Sequence, residues 1–135
     1  MEFHDNLVSH LYAEEPRYIQ SAGISWQQIS QAFSDAGGHL KDEASIRALP
    51  VRFAKTCIIE MKGRGAHIVL DGVKGPVSVF LLKGGSVSSE FQVKDERFAG
   101  RILPMGEGNL VIIGEKDESL DDYQRVISEN FEWDA

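Results

Sequence analysis

Phe53-Ala54-Lys55-Thr56-Cys57-Ile58-Ile59-Glu60-Met61, followed by Lys62-Gly63-Arg64-Gly65 and then Ala66-His67-Ile68-Val69-Leu70, is the stretch on which the fold turns. Two runs with a period of two flank a glycine-bearing cluster, the pattern of an antiparallel hairpin. Gly63-Arg64 suits a two-residue type II′ turn with glycine at its first central position. That register pairs Cys57 with Leu70, Ile59 with Ile68 and Met61 with Ala66 on an apolar face. It places Ile58 opposite Val69 and Glu60 opposite His67 on a mixed, half-solvated face.

Toward the C-terminus, Asp71-Gly72-Val73-Lys74-Gly75 reads as a second turn and residues 76–82 as a third strand. Residues 83–89 form a small-residue tip, and Phe91, Val93, Phe98, Ile102 and Leu103 suggest one or two further strands. Met105-Gly106-Glu107-Gly108 turns the chain into the continuous apolar strand 110–113. After Gly114, acids gather at a helix start, with Ser119 as cap and Leu120, Tyr123, Val126, Ile127 and Phe131 as the buried stripe of a helix over 120–132. Toward the N-terminus, Ser25 and Gln28 form a capping box, and Ile29, Ala32, Phe33 and Ala36 are the inner face of a helix over 26–36. Gly37-Gly38 ends it. Phe3, Leu7, Val8, Leu11 and Tyr12 give a helix over 2–13 that Pro16 is expected to stop, while 39–50 reads as a connection with a short helical turn.

Strands joined by such short turns cannot be parallel, which excludes a doubly wound nucleotide fold. The expectation is one α+β domain over 1–135, with an antiparallel sheet of five or six strands within 51–114 and with the N-terminal helices and the C-terminal helix on one face. Its core should include Phe33, Cys57, Ile59, Ile68, Leu70, Val79, Ile112, Ile127 and Phe131. Strand order is left open.

The 135 residues are 42% apolar and carry 14 Lys+Arg against 21 Asp+Glu, a formal charge of −7. That balance speaks against a nucleic-acid partner and against contact of this domain with an anionic membrane, both of which need a basic footprint. The longest apolar runs, 79–82 and 110–113, are four residues each, whereas a membrane span takes about 20. The start of the chain has no signal-peptide pattern. Cys57 is the only cysteine, so neither an internal disulfide nor a cysteine zinc knuckle is expected.

Few residues suggest chemistry. His4 and His10 are six apart and fall on opposite sides of the first helix, so they should not share an ion. His39 follows a helix C-terminus, where a cation is favoured. Cys57, on the apolar face, should be an inert buried thiol. Glu60 and His67 should face each other with Arg64 at the hairpin tip, and these three form the candidate binding surface; a carboxylate beside an imidazole is acid/base material, but also a common cross-strand pair. None of the glycine stretches precedes a helix, so none is a phosphate loop. No nucleophile elbow, His-Glu-x-x-His helix or calcium loop occurs. No catalytic residue, metal site or cofactor is therefore expected.

Ala54-Lys55-Thr56-Cys57, the run from Ala66 through His67 and Gly75-Pro76-Val77 to Phe80, and Arg97-Phe98-Ala99-Gly100 followed by Pro104-Met105-Gly106-Glu107-Gly108-Asn109 carry a resemblance. From the first helix to Trp133, the chain resembles the C-terminal soluble region of a family of proteobacterial membrane proteins of the domain-of-unknown-function kind. The resemblance implies an extracytoplasmic domain behind one membrane helix, a cytoplasmic segment before it, and a suspected anti-sigma-factor role that would reside in residues outside this sequence. It supplies no catalytic residues.

The function expected is thus a non-enzymatic sensing or partner-binding domain, the periplasmic part of a membrane-anchored regulator, recognising a protein or an envelope ligand. Two alternatives stand beside it. One is a cytoplasmic interaction module, with homodimerisation through a strand edge as one form. The other is a small hydrolase or transferase using Glu60 and His67, with Cys57 as an optional third group.

Overall fold

A computed structural model describes residues 2–21, 23–59 and 63–134. The elements run α1 (Glu2–Gln20), α2 (Trp26–Asp35), β1 (Gly38–Leu40), α3 (Glu43–Arg47), β2 (Val51–Ile59), β3 (Gly63–Asp71), β4 (Pro76–Leu82), β5 (Phe91–Lys94), β6 (Phe98–Met105), β7 (Gly108–Glu115), α4 (Asp121–Asn130) and β8 (Phe131–Trp133). The fold is α+β, as expected. Six antiparallel strands pair in the order β2-β3-β4-β7-β6-β5, and β1 pairs with β8 in a separate two-stranded sheet. Two three-stranded meanders are joined where β4 meets β7, with Val79 opposite Ile112 and Phe80 opposite Val111. The long β4–β5 connection is pinned by the buried Asn109, whose Nδ2 donates to the Gly85 carbonyl at 2.8 Å and whose Oδ1 accepts from the Val87 amide at 2.8 Å.

The helices divide between the two faces instead of sharing one. α2, α3 and α4 cover the face made by Ala66, Ile68, Leu70, Val77, Val79, Leu81, Leu110 and Ile112. α1 alone covers the other, where Phe3, Leu7, Leu11 and Tyr18 meet Cys57, Val69, Phe80, Leu82, Val111 and Ile113. The continuous apolar runs of β4 and β7 require this, because successive strand residues point to opposite faces and a run without polar alternation must be covered on both.

α1 also continues past Pro16 to Gln20. A proline inside a helix removes one amide donor and crowds the preceding turn, yet the last turn is held from outside. Tyr18 is buried near the Phe53 ring, at 6.4 Å between centroids, and Arg52 Nη1 donates to the carbonyls of Ile19 and Ser21 at 3.4 and 3.1 Å. The capping box at Ser25 and Gln28 forms with both halves, and Gly37 takes the left-handed φ of 98° after α2. Ser119 does not cap the last helix; Leu120 occupies the N-cap, without a side-chain hydrogen bond. The connection 39–50 holds β1 and α3, the latter capped by Asp42.

The hairpin register differs most from expectation. Cys57 lies opposite Gly65 rather than Leu70, and His67 lies opposite Lys55 rather than Glu60. Gly63 and Arg64 are strand residues, with Ile59 opposite Gly63. Gly65 serves close approach rather than a turn, since a Cβ there would stand 2.4 Å from the Leu81 carbonyl oxygen and 2.5 Å from Leu82 Cδ2. The slip is an odd number of residues, so it exchanges the faces of one strand relative to the other. Cys57 consequently sits beneath α1 with Val69, while Ile68 and Leu70 face α2. Of the expected core, Phe33, Cys57, Ile68, Leu70, Val79, Ile112, Ile127 and Phe131 are buried; the side chain of Ile59 lies outside the described residues.

Candidate functional site

α1 lays a stripe of positions 3, 7, 11, 14 and 18 against the sheet, and four of the five are apolar or aromatic: Phe3, Leu7, Leu11 and Tyr18. The fifth is Glu14, which is 5% exposed. One turn earlier on the same side stands His10, with Nε2 3.2 Å from Glu14 Oε1. Opposite them β3 presents His67, at 0% exposure. A buried carboxylate, a buried imidazole and a partly buried one thus meet between a helix and a sheet, in a largely apolar layer.

His67 is held on all sides. Its ring stacks on Phe80 at 4.2 Å between centroids and 13° between planes, and the rings of His10, Tyr18 and Phe53 approach it edge-on at 5.8, 5.9 and 6.2 Å. Nε2 is 3.0 Å from Ser78 Oγ. Nδ1 has no hydrogen-bond partner, whereas His10 Nε2 pairs with Glu14 Oε1 at 3.2 Å. The tautomer with the proton on Nε2, donated to Ser78, leaves Nδ1 as a bare lone pair. It costs less than an orphaned buried N–H would.

Burial pushes the His67 pKa well below the ordinary value, with the charges of His10 and Lys55 acting in the same direction. The His10 pKa is also lowered, chiefly by burial, with Glu14 opposing the shift and Lys55 adding to it. Glu14 receives the Lys55 ammonium of β2 at 3.0 Å on Oε1, and Arg17 stands 3.8 Å from Oε2. Cys57 shares this layer; burial first, and the charge of Glu14 second, push its thiol up to about 12.

Ion pairs and hydrogen bonds fasten α1 at other points. Tyr12 Oη donates to Asp95 Oδ2 at 2.6 Å, and Arg97 bridges Glu15 of α1, at 2.6 and 2.8 Å, and Glu115 of β7, at 3.1 Å. The Lys94 amide donates to His4 Nε2 at 3.1 Å. α1 therefore rests on an apolar stripe with one polar centre in the middle and a polar rim toward the β5–β6 turn.

The candidate surface drawn from sequence does not assemble as expected. His67 is sealed in the interior instead of half-exposed, and its cross-strand neighbour is Lys55. Glu60 and the side chain of Arg64 lie outside the described residues. His39 sits on β1, exposed, and its Nδ1 is 2.7 Å from Asp134. The buried thiol at Cys57 is where the sequence put it with respect to solvent, in the layer beneath α1. Glu14 was missed altogether, and His10 was considered only against His4 and not as a partner of Glu14 and His67. The spacing of four residues between His10 and Glu14, with Glu14 on the continuation of the apolar stripe, was the available signal; ending the helix at Pro16 hid it.

The molecule these features define is an antiparallel α+β domain with a buried His-Glu-His centre under its first helix. The chain belongs to the family described as "Protein of unknown function (DUF3379)", whose profile matches residues 2–131. No curated protein and no solved structure matches it.

Proposed function

We propose that this domain is a non-enzymatic sensing or partner-binding module, the periplasmic part of a membrane-anchored regulator, in which α1 is the responding element. The observation that carries this reading is the polar centre itself: Glu14 and His10 interrupt the stripe by which α1 docks, directly over the sealed His67. Polar and charged groups in an apolar interface weaken it relative to hydrocarbon, and His67 Nδ1 has no partner in this layer. Lifting α1 would break its ties to Asp95, Arg97, Lys94 and Arg52 but none of the strand pairing of the sheet or the opposite layer. The sealing of His67 also speaks against the hydrolase alternative, because a general base must come within hydrogen-bond reach of a substrate proton. The resemblance of the sequence supports the membrane-anchored setting; no helix among the described residues is long and apolar enough to cross a membrane. The charge of −7 supports a protein or envelope ligand over nucleic acid.

Amide hydrogen exchange tests the role of α1. Residues 2–20 should exchange through a local opening faster than β3 and β4, and the opening should grow between pH 7 and pH 5 as His10 and His67, once uncovered, take protons. The groups facing that opening are Glu14 and Tyr18 of α1, Lys55 and Cys57 of β2, and Ser78 of β4. Exchange of α1 and β3 at one common rate at both pH values would remove α1 as a separate moving part.

A second reading, association through a strand edge, rests on Ile58, which is 74% exposed on β2 at one edge of the six-stranded sheet. A homodimer formed there would dissociate on Ile58→Lys, as sedimentation would report.

A further inference from the structure

We propose that His10, Glu14 and His67 form a binding site for one divalent transition-metal cation, which ties α1 to β3. The binding stands on the geometry of the three side chains; only its consequence for α1 rests on the function proposed above.

One ligand atom from each residue lies within 4.8 Å of the other two. Donors around a tetrahedral ion with bonds of about 2.0–2.1 Å are roughly 3.3 Å apart, so side-chain shifts on the order of an ångström would close the set. The two helical ligands are four residues apart and share one face of α1, the spacing that brings successive turns to one ion. The third comes from a strand anchored on both sides. Two imidazoles and one carboxylate suit Zn²⁺ and its first-row neighbours and disfavour Ca²⁺ or Mg²⁺, which take oxygen ligands.

The unpartnered atom is the independent observation. His67 Nδ1, on a fully buried ring, lacks a hydrogen-bond partner although it is sealed from water. A cation held by His10 and Glu14 would satisfy it. His67 also has the outer support that metal-bound histidines need: its other nitrogen is held by Ser78 Oγ at 3.0 Å, fixing ring orientation and leaving Nδ1 as the lone pair.

Lys55 opposes the ion. Its ammonium occupies Glu14 Oε1 at 3.0 Å, so an incoming cation must displace it or share the carboxylate. Lys55 is partly exposed on an edge strand and can swing to solvent. The domain then has two states of one contact: α1 held by Lys55 and Glu14 with His67 Nδ1 orphaned, or α1 held by a metal ion with Lys55 released.

The test is titration of the purified chain, stripped with chelator, with Zn²⁺ followed by calorimetry and with Co²⁺ followed by its visible absorption. One ion per chain is expected, with a Co²⁺ spectrum of tetrahedral intensity. His10→Gln and Glu14→Gln should each weaken binding about 100-fold or more, while Lys55→Met should tighten it. The variant His39→Ala, which removes the surface pair with Asp134, should bind like the native chain. Should His10→Gln fail to fold, nitrogen shifts of the His10 and His67 rings in the native chain replace it, and both must move with one equivalent of Zn²⁺. Absence of stoichiometric binding overturns the proposal, as does binding that survives His10→Gln and Glu14→Gln or is lost in the surface variant. If Zn²⁺ binds as expected but leaves α1 exchange unchanged, the site stands and α1 as responding element falls. If α1 opens with pH but no metal binds, the site falls and the responding helix stands.

Discussion

Replacing His67 with leucine should flatten the dependence of stability on pH. In the folded protein the ring is enclosed by Phe80, Tyr18, Phe53 and His10 and stays neutral, its pKa driven well below the ordinary 6.5 by burial and then by the neighbouring charges of His10 and Lys55. In the unfolded chain the same ring titrates normally. Below about pH 6.5 the unfolded state therefore binds a proton that the folded state refuses, and stability present above that pH is lost as pH falls. While the buried ring remains neutral, each pH unit weighs about 1.4 kcal/mol against the folded state. From pH 7 to pH 5 the loss integrates to about 2 kcal/mol for this one group. Urea unfolding at pH 7, 6 and 5, with chelator present, measures it. His67→Leu has a similar volume and keeps the contact with Phe80, at the cost of the bond between Ser78 Oγ and His67 Nε2. Its absolute stability is not the readout; the difference in slope from the native chain is. The native chain should lose about 2 kcal/mol more than His67→Leu over that range. Parallel losses would show that His67 is protonated in the folded state or in contact with water, refuting the closed centre under α1.

Cys57, with its thiol pushed up to about 12 by burial and by Glu14, should react with a thiol reagent at pH 7.5 at least about 100-fold more slowly in the native chain than in urea; equal rates would place it at the surface. Ser25→Ala removes the side-chain half of the capping box on α2 and should cost about 1 kcal/mol in urea unfolding, against no loss if α2 is held by packing alone. Gly100→Ala should prevent folding, since a Cβ at Gly100 would stand 2.0 Å from the Ile112 carbonyl oxygen and 2.7 Å from Ile113 Cα, both backbone atoms of the neighbouring strand; a native-like circular dichroism spectrum and melting transition would contradict that spacing.

The fold class was legible because it depends on local signals. Turn residues every ten or so positions and a period of two leave an antiparallel sheet as the economical solution, and the Ser25–Gln28 box marks a helix start whatever surrounds it. The apolar runs 79–82 and 110–113 also held the information that both sheet faces are covered, since an uninterrupted run in a strand points both ways. The site was less legible for two reasons. Register is decided by which side chains fit between two layers, and Gly65 resembles a turn residue until Leu81 and Leu82 are seen to occupy the space of its missing side chain. Pro16 likewise reads as a stop, and only Tyr18 under the sheet and Arg52 on the last carbonyls carry the helix through it.

By itself the sequence determined the α+β class, the capped start of α2, the burial of Cys57 and the residues of most of the core, because each follows from hydrophobic period and capping chemistry within a few neighbours. Tertiary structure alone decided that α1 lies apart from the other helices, that β4 meets β7, and that His10, Glu14 and His67 share one buried centre. The physical reason is that these three side chains come from positions up to 57 residues apart, and what gathers them is the packing of a helix on a sheet whose register no local signal specifies.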